Sequence, residues 1–83
     1  MKLIYFAWLR TRIGLAQEQV EAPPDVRTVG ELLGWLQIRG PGYALALADL
    51  SIVRVAVNQD YVGLDRILAP GDEVALFPPV TGG

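Results

Sequence analysis

The sequence predicts an α+β domain in which one main helix lies across one face of a mixed sheet, and three observations carry that prediction. An apolar, aromatic run opens the chain at 2–9, a second apolar run closes it at 73–77, and a segment of helical periodicity behind a capping box lies between them. With 83 residues there is room for one core, and a chain this short buries only about 60–65% of the surface it exposes when unfolded. Residues 1–83 therefore read as a single domain, with 78–83 as an extended C-terminal tail.

Lys2-Leu-Ile-Tyr-Phe-Ala-Trp-Leu9 is rich in β-branched and aromatic types and predicts a long first strand that turns at Gly14. A weaker second strand is expected around Glu18 to Glu21, closed by Pro23 and Pro24. Thr28-Val-Gly-Glu31 has the form of a capping box, so a helix should begin there. Val29, Leu32, Leu33 and Leu36 then give it one apolar face, and Gly40-Pro41-Gly42 should stop it. Gly30 and Gly34 inside this helix each cost roughly 1 kcal/mol relative to alanine, so packing must hold it in place. Tyr43 to Asp49 fits both alternation and a helical turn, and a short helical connection is expected. Arg54 to Asn58 is a clean strand, Asn58-Gln-Asp60 a turn, and Tyr61-Val62 a short returning strand. Pro70-Gly71 suits the centre of a type II turn before the last strand, Glu73 to Phe77, which Pro78-Pro79 terminates.

The first and last strands, as the most apolar, should be central in the sheet. One helix covers one side of it, and alternation identifies the side left open. If Val55, Val57, Val74 and Leu76 face the helix, then Arg54, Ala56, Asn58, Glu73, Ala75 and Phe77 face outward. In the first strand the set Lys2, Ile4, Phe6 and Trp8 carries the charge and should also face outward, bringing Phe6 beside Phe77. With Tyr61 these rings form an aromatic patch. The 52% hydrophobic content, high for so small a domain, fits an apolar contact face of this kind.

Composition limits the chemistry. The chain has no His, no Cys, one Ser (Ser51) and three Thr (Thr11, Thr28, Thr81), so a catalytic triad and a Cys- or His-based metal site are excluded. Asp72 and Glu73, the one adjacent acidic pair, point to opposite faces once the strand begins and cannot act together. No phosphate-cradling glycine motif is present. With a net charge of -2 and dispersed basic residues there is no footprint for nucleic acid, and no apolar run approaches membrane-spanning length. The expectation is a cytoplasmic protein that binds other proteins and is not a catalyst by itself.

A terminal glycine pair alone says little, but its context here is specific. Pro78-Pro79 makes a stiff base for an arm, only Val80 and Thr81 intervene, and Gly82-Gly83 gives a tip slim enough for a narrow channel. Such an arm delivers the carboxylate of Gly83 to another protein's active site. Once activated, for example as an acyl-adenylate, that carboxyl can accept sulfur and become a thiocarboxylate.

The ending Asp72-Glu-Val-Ala-Leu-Phe-Pro-Pro-Val-Thr-Gly-Gly83, with Val55-Ala-Val-Asn-Gln59 before it, resembles the small subunit of molybdopterin synthase, the MoaD family. The opening Leu3 to Arg10 followed by Gly14, the helix start Thr28 to Leu33 and the segment Tyr43 to Leu47 resemble it too, so the likeness covers nearly the whole chain. The resemblance implies a ubiquitin-like β-grasp fold and a sulfur-carrier role in molybdenum cofactor biosynthesis. It implies that Gly83 is adenylated by a MoeB-type enzyme using ATP and then thiocarboxylated, the chain itself binding no cofactor and no metal. It further implies that Val80, Thr81 and Gly82 enter a large MoaE-type subunit that holds the catalytic site, in a heterotetramer, with Phe6, Tyr61 and Phe77 as the docking surface. Arg39-Gly-Pro-Gly-Tyr43 departs from the family pattern in being glycine-rich. A carrier for thiamine (ThiS type) or tRNA thiolation shares the fold and the Gly-Gly, although Phe77-Pro-Pro-Val80 argues against it. A ubiquitin-like conjugation tag is the remaining alternative.

Overall fold

The computed structural model describes residues 1–79. In chain order the elements are β1 (Lys2–Tyr5), α1 (Ala7–Ile13), β2 (Gln17–Gln19), α2 (Val29–Gln37), α3 (Pro41–Ala46), β3 (Arg54–Val57), β4 (Asp60–Val62) and β5 (Glu73–Phe77), with a 3-10 turn at Leu50–Ile52 ahead of β3. The five strands form one mixed sheet in the order β2-β1-β5-β3-β4. β5 is the central strand, parallel to β1 and antiparallel to β3. The two strands expected to be interior are therefore interior. Leu3, Tyr5, Val55, Val57, Val74 and Leu76 from the sheet join Leu9 of α1, Val29, Leu32, Leu33 and Leu36 of α2, and Ala46 and Leu47 in one buried cluster.

The long first strand is corrected. β1 ends at Tyr5, and Ala7, at φ 54, reverses the chain into α1. That left-handed backbone at a non-glycine residue costs roughly 1–2 kcal/mol. The return is a helix in which Leu9 is fully buried and Trp8 and Ile13 pack against the core. Trp8 is thus not on the outward sheet face; its ring lies under the Arg12 guanidinium at 4.6 Å, one helical turn on. The second strand also shifts toward the N-terminus, to Gln17–Gln19, and Val20 is buried beyond it with its N–H on the Met1 carbonyl.

The capping box forms as read. The Thr28 hydroxyl accepts from the Glu31 N–H at 3.2 Å, and the Glu31 carboxylate accepts from the Thr28 N–H at 3.0 Å. α2 ends at Gln37, but Pro41 opens a further helix rather than only closing the last one, as its fixed φ suits a first helical position. α3 can lie close to α1 because position 42 is glycine: a Cβ there would stand 2.6 Å from the Arg12 carbonyl oxygen. Three helices thus share the work assigned to one. The β3–β4 hairpin turns on Asn58 and Gln59, both at positive φ as a type I′ turn requires. Gly71 at φ 85 supplies the turn before β5.

Candidate functional site

The strand ladders place the outward side chains in rows. Ala56 lies opposite Tyr61 on one side and Ala75 on the other, and Ala75 lies opposite Ile4. Arg54 lies opposite Phe77. Since alternate residues share a face, Tyr61, Ala56, Ala75, Ile4 and Phe77 form one outward surface with Arg54 at its edge. Ala56 is only 7% exposed there, a small residue between larger neighbours, whereas Tyr61 is 78% exposed.

Of the three aromatic residues expected to form a patch, two meet. The rings of Tyr61 and Phe77 are tilted at 40° with centroids 5.3 Å apart. Phe77 is half-buried, with Tyr61 covering part of it, and so is less open than alternation alone suggested. Phe6 stands beyond the end of β1, 48% exposed, with its backbone N–H on the Leu76 carbonyl at 3.1 Å. That bond keeps Phe6 beside the end of β5, but no ring pair between Phe6 and Phe77 occurs among the described residues. The surface is largely apolar and adjoins Pro78 and Pro79, which follow Phe77 at the end of β5. Val80, Thr81, Gly82 and Gly83 lie outside the described residues.

A polar cluster that the sequence reading missed braces the opposite edge of the sheet. The Glu18 carboxylate on β2 accepts hydrogen bonds from Tyr5 Oη at 2.7 Å, Tyr43 Oη at 2.6 Å and Arg39 Nη1 at 3.0 Å. Burial works against the charge on Glu18, but the hydrogen bonds from Tyr43, Tyr5 and Arg39 outweigh it and hold the carboxyl below its usual range. Burial first, and then the bond to Glu18, push the Tyr5 phenol well above its ordinary value. Arg39 also stacks over Tyr43 and Trp35, each with its centroid at 5.0 Å. These residues come from segments far apart in sequence. Only Arg39 and Tyr43, four residues apart across the start of α3, are neighbours in sequence.

Among the described residues no group of three acidic, His or Cys side chains is placed to hold a metal ion. A hollow of about 380 Å³ lined by Met1, Val20, Pro23, Leu68 and Pro70 lies at the end of the sheet away from Phe77. Around Phe77 the described residues present apolar side chains, and among them no group of acidic side chains is clustered.

A family model described as the ThiS family matches residues 3–83. The chain belongs to that family. Among curated relatives of this ThiS-family chain, the molybdopterin synthase sulfur carrier subunit of Escherichia coli is 42% identical over 83 residues, covering 100% of this chain and 99% of the relative. That likeness agrees with the MoaD resemblance read from the residues. Among solved structures, the small archaeal modifier protein SAMP1 of Haloferax volcanii is 32% identical with a TM-score of 0.74, covering 100% of this chain and 98% of that one. Subunit 1 or 2 in a complex of the two subunits of molybdopterin-converting factor from Helicobacter pylori is 25% identical with a TM-score of 0.65, covering 99% of this chain and 96% of that one. The ThiS-family fold is thus the ubiquitin-like β-grasp expected from the residues, with more helix around its sheet than the periodicity disclosed.

Proposed function

We propose that this chain is the sulfur-carrying subunit of a molybdopterin synthase. The observation that carries the reading is the end-to-end 42% identity to the E. coli sulfur carrier subunit, which favours this pathway over the thiamine or tRNA carriers that share the Gly-Gly ending. In this reading a MoeB-type enzyme uses ATP to adenylate the Gly83 carboxyl in the cytoplasm. Attack by a sulfur nucleophile on the carbonyl carbon expels AMP and leaves a thiocarboxylate. The outward surface with Phe6, Tyr61 and Phe77 then docks on a large MoaE-type subunit, Val80, Thr81 and Gly82 thread toward its active site, and the sulfur passes to the pterin precursor. Two such pairs assemble as a heterotetramer.

Division of labour follows from the composition. With no His and no Cys, the chain supplies position and a reactive terminus, and its partners supply proton transfer and nucleophilic sulfur. The test is incubation with ATP and each candidate activating enzyme, read by intact mass, followed by addition of the large subunit and pterin precursor. The account expects activation by the molybdopterin-pathway enzyme and product formation; activation only by a thiamine- or tRNA-pathway enzyme contradicts it. The similarity to a small archaeal modifier protein favours a second reading, a conjugation tag joined through Gly83 to lysine amines. Lysine-linked adducts in a sulfur-replete lysate would support that reading instead.

A further inference from the structure

Gly30, Gly34 and Gly42 all lie inside helices, where glycine weakens the helix relative to alanine. Two of them answer to a close approach within the molecule. A Cβ at Gly30 would stand 3.3 Å from the Leu64 carbonyl oxygen, and one at Gly42 would strike the Arg12 carbonyl. Gly34 has no such reason, since a Cβ there meets nothing within 4 Å.

Beside Gly34 runs a groove of about 590 Å³ between the outer face of α2 and the segment 23–26, walled by Pro23, Val26, Trp35 and Ile38. Gly34, Trp35 and Ile38 follow at helical spacing on the side away from Val29, Leu32, Leu33 and Leu36, which are buried against the sheet. The groove is therefore on the opposite side of the molecule from the Tyr61–Phe77 surface. Ile38 is 81% exposed there, and Trp35 is half-buried. The charged residues lining the groove, Asp25 and Glu31, are both acidic. Asp25 is exposed and makes no ion pair among the described residues. One carboxylate oxygen of Glu31 accepts the bonds at the start of α2, and the other has no bond among the described residues. No lysine or arginine lines the groove, and Arg39, over the Trp35 ring, is held by Glu18 at 3.0 Å. Pro23 and Val26 also wall the hollow of about 380 Å³ beyond, where Glu21 adds a third carboxylate and the Met1 amino group donates to the Val20 carbonyl.

Apolar walls under an acidic rim suit an apolar segment that carries positive charge. A second copy seated by two-fold symmetry would bring the same carboxylates together. An extended segment would find no strand edge on α2, whose backbone groups bond within the helix, whereas a partner helix satisfies its own. We propose that this groove receives a short amphipathic helix of another protein, its apolar side chains over Gly34 between Val26, Trp35 and Ile38 and its lysines or arginines toward Asp25 and Glu31, while the sheet surface stays free.

The test uses the full chain, isotope-labelled for NMR, and a synthetic helix of leucine and lysine with the leucines along one face. A counterpart with glutamate in place of lysine is run beside it. The lysine peptide should give saturable shifts at Val26, Gly34, Trp35 and Ile38 and leave Tyr61 and Phe77 unmoved, and the glutamate peptide should not bind. Gly34→Leu fills the groove with a good helix former and should weaken binding about tenfold. Asp25→Lys should weaken it about fivefold, with native circular dichroism in both variants. Absence of saturable shifts, shifts centred on Tyr61 and Phe77, equal affinity for the two peptides, or unchanged affinity in a folded variant would overturn the proposal. Self-association of the peptide-free chain through the same residues, seen by sedimentation, would overturn the choice of occupant.

Discussion

Gly34 and Gly42 should respond in opposite directions to the same substitution. A Cβ at Gly34 meets nothing within 4 Å and lies on the exposed side of α2, so Gly34→Ala should raise stability by about 0.5–1 kcal/mol. At Gly42 the new Cβ meets the Arg12 carbonyl oxygen at 2.6 Å, where the backbones of α1 and α3 touch. Overpacking of about 1–3 kcal/mol outweighs a helix-propensity gain of about 1 kcal/mol, so Gly42→Ala should destabilise. Urea midpoints of the two variants check both signs. Glu18 makes a prediction about pH. Its carboxyl is held below the ordinary 4.5 in the fold and returns to it on unfolding, so its contribution is present above about pH 4.5 and is lost as pH falls through the folded value. The stability gap between wild type and Glu18→Gln should therefore be widest near neutrality and shrink on acidification. A gap independent of pH from 7 to 3 would show that the charge on Glu18 is not what the two tyrosines and Arg39 hold.

Among the elements, the outward surface of β3, β4 and β5 carries the docking proposal. Phe77→Ala removes a half-buried ring that rests on Tyr61 and leaves Val74 and Leu76 in the core. Affinity for the large subunit should fall by about 1–3 kcal/mol with folding retained, as titration calorimetry of the variant would measure. Unchanged affinity with loss of folding would make Phe77 a core residue instead. The alternation that placed Phe77 outward was legible because β5 alternates cleanly, and the Thr28–Glu31 box was legible because capping is local. The end of β1 was not legible: Phe6, Ala7 and Trp8 have strand-like neighbours, and only the positive φ at Ala7 and the burial of Leu9 on a second face reveal the helix. The Glu18 cluster was hidden for a different reason, since Tyr5, Glu18 and Tyr43 meet only once the sheet and α3 are assembled.

For the molecule as a whole, the proposed role asks for a short arm following the apolar surface that ends at Phe77, on a chain with no His and no Cys. The residues of the arm were legible as composition, in Pro78-Pro79 followed by Val80, Thr81 and a glycine pair. If the arm is separate from the core in function, deleting Gly83 should abolish molybdopterin formation in a reconstituted synthase while thermal unfolding and binding to the large subunit stay near wild type. The most direct test of the central claim is the intact mass of the chain recovered after incubation with ATP, the activating enzyme and a sulfur source, with the modified residue located by fragmentation. The account predicts one oxygen replaced by sulfur at Gly83, lost again on transfer to the pterin precursor. An unchanged mass under conditions that load the E. coli carrier, or sulfur located anywhere but Gly83, would contradict it.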